Sequence, residues 1–216
     1  MTGKQYTRML EYFNGDDFYG DCAIMESYLN EMNFYSGTER QKLYKHSNAT
    51  GDIGSMLYGY TWRGYLSRTK TRTPSDKYIG LYQTKCKDLY PLFESVAQEF
   101  SKLYFPDFEW FNLQLNKCFP IPPHFDSVNV GTSIILGLGD YEGGLLNVEY
   151  EDGIKKIDIQ GKTYEFDGSK YKHWVDDFTG TRYSIVFFKN KMLMNKAKKV
   201  VFYDNLIKEV IPTHLQ

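Results

Sequence analysis

The sequence predicts a mainly β fold with flanking helices (α+β), of the sandwich or barrel kind. Three observations predict it. Helical spacing of apolar residues is confined to the N-terminal part of the chain. From Glu109 onward, short runs alternate apolar and polar residues or are wholly apolar. Turns containing glycine separate those runs, at Glu151-Asp152-Gly153, Asp167-Gly168 and Thr179-Gly180-Thr181.

The helical stretches are Asp21–Met32 (DCAIMESYLNEM) and Leu89–Tyr104 (LYPLFESVAQEFSKLY). Ser55–Tyr78 lies between them, rich in Gly, Tyr, Thr and Arg, and reads as loops and short strands. Trp110–Leu115 alternates, with Phe111, Leu113 and Leu115 on one face and Asn112, Gln114 and Asn116 on the other. Thr132–Leu138 is a run for a buried strand. Leu145–Tyr150 and Ile154–Ile159 form a hairpin, followed by Thr163–Phe166, a short His173–Val175, and Arg182–Phe188. These make about seven or eight short strands. The tail from Asn190 to Val210 is Lys-rich and expected to be partly helical. The length of 216 residues suits one domain. We divide it into a mixed helical and loop part (1–108), a β core (109–190) and a basic tail (191–216).

Composition narrows the function classes. Hydrophobic content of 42% and charged content of 25% are those of a soluble globular protein. The net charge of −1 means that any affinity for polyanions must come from local patches. Aromatic content of 17% supplies core, and also faces on which flat substrates can stack. Cys22, Cys86 and Cys118 share no metal-type spacing and are expected to be free thiols. The sequence shows no basic-then-apolar leader and no apolar run of membrane-spanning length, so the expected setting is soluble and intracellular, cytoplasm or nucleus.

Within the β part, "PPHFDSVNVG" places His124 and Asp126 two apart, on one side of an extended segment, where both can ligate one ion. A metal held by two His and one carboxylate keeps three positions open, which suits non-haem Fe(II). By itself His-x-Asp is common, and each residue has an ordinary structural use. A third ligand would come from downstream, where only His173 and His214 are available. His173 falls on a predicted strand and is the better candidate.

The last strand adds a second feature. Tyr183, Ile185 and Phe187 suit one buried face of Arg182–Phe188; Arg182, Ser184, Val186 and Phe188, followed by Asn190, make the other. A buried arginine needs a partner. A dicarboxylate cosubstrate would supply one, through a bidentate pair with Arg182 and a hydrogen bond to Ser184. A protein carboxylate would serve equally.

His124-x-Asp126, then His173, then Arg182-x-Ser184, in that order and over roughly Glu109 to Asn190, resembles the Fe(II)/2-oxoglutarate-dependent oxygenases. The resemblance implies a double-stranded β-helix (jelly-roll, cupin-like) core. It makes His124, Asp126 and His173 the iron ligands and the catalytic centre, with Fe(II) and 2-oxoglutarate as cofactors and O₂ as cosubstrate. Arg182 and Ser184 would bind the distal carboxylate of 2-oxoglutarate. Asn112, Gln114 or Asn116 would hold its other end.

The stretch "HFDSVNVGTSIILGLGDYEGGLL" is similar to the TET/JBP branch, whose members oxidise the 5-methyl group of a pyrimidine in nucleic acid. That likeness implies base contacts at Asn129, Phe188 and Asn190. It implies a nucleic-acid partner, DNA first, whose base must leave the stack to be reached. An Asn amide both donates and accepts, so Asn129 alone does not separate cytosine from thymine. Arg63 and Arg68, with Lys70 and Arg72, and a second run at Lys189, Lys191, Lys196, Lys198 and Lys199, are candidate phosphate contacts; such runs are also ordinary solvated faces. The chain lacks the cysteine-rich extension of large animal TET enzymes. Three other readings stay open: an oxygenase of the same fold acting on a peptide or small molecule, a nucleic-acid N-demethylase, and a non-catalytic metal-binding barrel.

Overall fold

The computed structural model describes Phe13, residues 15–37, Gln41, residues 53–63 and residues 80–194. Helix α1 is Phe18–Asn30, begun by Asp17, whose side chain accepts from Gly20 N. The second helical stretch divides in two: α2, Lys85–Leu89, and α3, Phe93–Tyr104. Pro91 is the reason. It bars the α conformation to Tyr90, which sits at φ −130 and ψ 58. Phe93, Val96, Ala97 and Phe100 then form one buried stripe on α3.

Among the described residues the strands, in chain order, are β1 Gly54–Arg63, β2 Gly80–Gln83, β3 Asn112–Lys117, β4 Ser133–Leu138, β5 Tyr141–Gly143, β6 Leu146–Tyr150, β7 Gly153–Ile157, β8 Thr163–Phe166, β9 Lys172–Val175, β10 Phe178–Gly180 and β11 Tyr183–Phe188. The major sheet runs β2-β1-β3-β11-β4-β8, and the minor sheet β7-β6-β9, all antiparallel. A bridge from His124 to His173 adds the segment before β4 to the free edge of the minor sheet. From β3 onward the chain passes back and forth between the two sheets, which is the double-stranded β-helix. The pair β5 and β10 closes one end.

Strand alternation sorts the side chains. Leu113, Leu115, Ile134, Leu136, Ile185 and Phe187 leave the major sheet outward and pack under α1 and α3. Ile135 and Val186 point inward and meet Leu146, Val148, Ile159 and Phe166 between the sheets. β4 is thus covered on both faces, as its unbroken apolar run predicts.

The sequence expectations need four adjustments. The region read as loops and short strands contains the long β1, and β2 extends the sheet beyond it. β3 starts at Asn112 rather than Trp110. β5 lies in a stretch assigned to no strand and β10 runs into the Thr179-Gly180-Thr181 turn, because three-residue strands carry too little alternation to register. Of the tail, residues 191–194 are helical. Lys196, Lys198, Lys199 and His214 lie outside the described residues, as do Arg68, Lys70 and Arg72. Among the described residues no helix is long and apolar enough to cross a membrane. Cys22, Cys86 and Cys118 are free and buried.

Candidate metal centre and active site

His124 and His173 face each other across the minor sheet. Each backbone N–H donates to the other's carbonyl at 3.0 Å, so the two imidazoles stand side by side with centroids 4.2 Å apart. Asp126 follows on the same segment, its N–H given to Gly168 O at 2.8 Å. The candidate ligand atoms of His124, Asp126 and His173 all lie within 4.8 Å of one another. His124 Nε2 is 3.5 Å from Asp126 Oδ1, and His173 Nε2 is 3.6 Å from Asp126 Oδ2.

The ring tautomers favour a cation. His124 Nδ1 lies 2.9 Å from Pro122 O, and His173 Nδ1 lies 3.1 Å from Tyr171 O. A carbonyl only accepts, so each Nδ1 carries hydrogen and each neutral ring turns a lone pair at Nε2 toward Asp126. The two rings differ in their surroundings. Burial opposes charge on His124, but Asp126 outweighs it and the pKa is raised. At His173, burial and the neighbouring His124 lower the pKa. Phe166 packs edge-on against His173 at 4.9 Å. Two imidazoles and a carboxylate are the donor set of a facial site with open positions, so the residues fit iron.

The triad opens on a cavity of about 1060 Å³ lined by Gln114, Asn116, Asn129, Val186, Phe188 and Asn190, among others. From Asn116 a polar line leads inward. Its Oδ1 accepts from Ser55 Oγ at 2.6 Å, and its Nδ2 donates to Ser184 Oγ at 3.1 Å. Arg182, two residues before Ser184 and just ahead of β11, is only 2% exposed. Its guanidinium lies over Tyr141 and Phe178, 5.4 and 5.6 Å from the ring centroids. Its Nε and Nη2 have no hydrogen-bond partner, and burial pushes its pKa down. A buried guanidinium with orphaned N–H groups beside a serine has the donors that a carboxylate would need.

The structure places the other predicted residues as follows. Asn129 is buried and lines the cavity; its Nδ2 donates to Asp126 Oδ2 at 3.1 Å and to Ser133 Oγ at 3.2 Å. Phe188 and Asn190 line the cavity, and Asn190 Oδ1 also accepts from Met192 N. Asn112 is not on the lining. Its Nδ2 donates to Tyr58 O at 3.2 Å and Tyr60 O at 2.8 Å, where β1 turns from β3 to β2 at Gly59 (φ 116). Alternation alone put it with Gln114 and Asn116; the bend in β1 takes up its amide. Arg63 ends β1 by its backbone. Lys189 pairs with Glu109 at 3.0 Å.

Several contributing residues carry no signal in the sequence. A Cβ at Gly168 would meet Asp126 Oδ2 at 2.8 Å and His173 Cε1 at 3.1 Å; in sequence Gly168 reads only as a turn. A Cβ at Gly144 would come within 3.0 Å of Arg182 Cδ and Nε. Ser133, Tyr141 and Phe178 matter only through neighbours that are distant or ambiguous in sequence.

No protein-family model matches the chain, and no curated protein matches it. Among solved structures it is similar to NgTET1 in complex with 5mC DNA, at 17% identity over 75% of this chain and 74% of that one, with a TM-score of 0.44. A 2OG-Fe(II) oxygenase-family oxidoreductase from Burkholderia pseudomallei shares 18% identity over 50% of this chain and 60% of that one, with a TM-score of 0.35. A Pseudomonas putida prolyl-4-hydroxylase shares 13% over 82% and 88%, with a TM-score of 0.41. At such identities and scores, chemistry has to be read from the residues of this chain.

Proposed function

We propose that the chain is an Fe(II)/2-oxoglutarate-dependent dioxygenase that oxidises the 5-methyl group of a pyrimidine, 5-methylcytosine or thymine, in nucleic acid. One observation carries the oxygenase reading. The three convergent ligand atoms of His124, Asp126 and His173 open on a cavity whose lining residue Asn116 donates to Ser184, two residues from the orphaned guanidinium of Arg182. A metal-binding barrel without catalysis has no use for a buried, unpaired arginine, whereas a dicarboxylate cosubstrate completes it.

Bound iron with 2-oxoglutarate and O₂ supplies the oxidising chemistry: one oxygen atom goes to the substrate methyl, and 2-oxoglutarate leaves as succinate and CO₂. The chain supplies placement. His124, Asp126 and His173 hold the metal on one face. Arg182 and Ser184 take the distal carboxylate, and Asn116 holds the Ser184 hydroxyl in line. Phe188 offers a ring on the cavity wall for a base to lie against, with Asn129 and Asn190 at its edge. The cavity exceeds what a five-carbon diacid fills, which leaves room for an extruded base.

The mouth of the cavity favours a second reading, a peptide substrate. Phe125 and Val128 line the cavity and are exposed apolar side chains, and the chain has no net positive charge. One experiment separates the two. The iron-loaded protein is given 2-oxoglutarate, O₂ and oligonucleotides containing 5-methylcytosine or thymine, which are then digested to nucleosides for mass spectrometry. A nucleoside one oxygen heavier, absent with Asp126→Ala, supports the base reading. Succinate without a modified base moves the assignment to a peptide or small molecule.

A further inference from the structure

We infer that Asn129 is a positioning residue for the metal centre: it ties back one oxygen of Asp126 so that the carboxylate meets the metal through the other. The inference rests on the metal-site reading above. Asn129 Nδ2 spends one hydrogen on Asp126 Oδ2 and the other on Ser133 Oγ. A carboxylate can only accept, so the amide orientation is fixed by chemistry. The clamp is rigid. Ser133 is fully buried and Asn129 nearly so. The Asn129 backbone N–H donates to Asp126 O at 3.0 Å, and its flanks are bonded to the segment after β11, Val130 N to Lys189 O at 3.0 Å and Lys191 N to Val128 O at 2.8 Å.

Asp126 is therefore gripped at two points, its backbone by Gly168 O and its Oδ2 by Asn129. Oδ2 is also the oxygen that a Cβ at Gly168 would crowd. Oδ1, beside His124 Nε2, is left for the metal. Ligation through one oxygen keeps a coordination position that two-oxygen binding would occupy, and the proposed reaction needs every open position.

The test is anaerobic Co(II) titration of the purified protein without cosubstrate, read by visible d–d absorption and by dissociation constant. Thermal unfolding of the metal-free protein is followed in parallel. Asn129→Ala is expected to weaken Co(II) binding about 10–100-fold and to change the band shape. Metal-free unfolding should move too little to explain either effect. Ser133→Ala, which loosens the clamp without removing it, should show the same spectral change with a smaller loss. An Asn129→Ala protein with wild-type affinity and spectrum overturns the inference. If Asn129→Ala does not fold, Ser133→Ala decides by the same criteria. Asp126→Ala calibrates the metal site: if it binds Co(II) like wild type, the metal reading fails and the inference falls with it. If Asp126→Ala loses the metal and Asn129→Ala does not, the inference alone fails.

Discussion

His124 and His173 exchange both of their backbone hydrogen bonds at 3.0 Å, so the two imidazoles that converge on Asp126 are set by strand pairing rather than by a loop. The chain links between them are long, yet their relative position is that of neighbours in a sheet. Replacing either ring should leave this pairing intact, because only main-chain atoms make it. We expect His173→Ala to keep the far-ultraviolet circular dichroism of the parent while metal no longer raises its melting temperature. The parent should gain about 2.7 kcal/mol at a metal concentration 100 times its dissociation constant. Equal metal stabilisation of the two proteins would refute the ligand role of His173.

Arg182 separates a structural from a functional use by the sign of one measurement. Its Nε and Nη2 have no partner, and among the described residues no carboxylate pairs with it. Replacing such a charge by an apolar side chain of similar length relieves desolvation. Arg182→Met should therefore be neutral or more stable, by up to about 1–4 kcal/mol in denaturant unfolding. The same protein should lose 2-oxoglutarate binding in calorimetry. A marked loss of stability would mean that the guanidinium serves the fold.

Gly168 gives a test of crowding. Its Cβ would stand 2.8 Å from Asp126 Oδ2, closer than nonbonded carbon and oxygen approach, and 3.1 Å from His173 Cε1. Gly168→Ala should displace the carboxylate, the ring or both. We expect metal affinity to fall by about 10-fold or more, the scale of disturbed outer-shell contacts, with little change in overall secondary structure. Metal binding as tight as the parent's would show that the β8–β9 turn yields without moving the triad.

The β core was readable because its strands are alternating or wholly apolar, and because ligands two apart on an extended segment must share a side. The same rule placed Ser184 and Phe188 on one face of β11 and Ile185 and Phe187 on the other; in the structure Ser184 meets Asn116, Phe188 lines the cavity and Ile185 and Phe187 join the outer core, while Arg182 stands just before the strand begins. It failed at Asn112, since alternation along β3 does not reveal that β1 bends away and presents two carbonyls there. It was silent on Gly168 and Ser133, whose importance lies in what stands beside them after folding. Three-residue strands such as β5 and β10 follow from pairing partners, not from their own pattern. The phosphate-contact candidates Arg63 and Arg68 divide differently: β1 carries the backbone of the first, and the second lies outside the described residues.

Asn129 also bears on which base would be chosen. In sequence its amide suits cytosine and thymine alike, because it both donates and accepts. In the folded chain both N–H groups are committed, to Asp126 and to Ser133, and Oδ1 alone remains to face the cavity. A carbonyl oxygen welcomes an N–H donor and is left unpaired opposite another carbonyl, at a cost of about 1–3 kcal/mol. The 4-amino group of 5-methylcytosine meets that requirement, and the 4-keto group of thymine does not. With both oligonucleotides competing in one reaction, 5-methylcytosine should be oxidised in preference by about 10-fold or more, since about 1.4 kcal/mol is one factor of ten. Ser133→Ala frees one hydrogen of the amide and should narrow the ratio. Equal oxidation of the two bases by the parent, or a preference for thymine, would show that Asn129 does not read the base through its carbonyl.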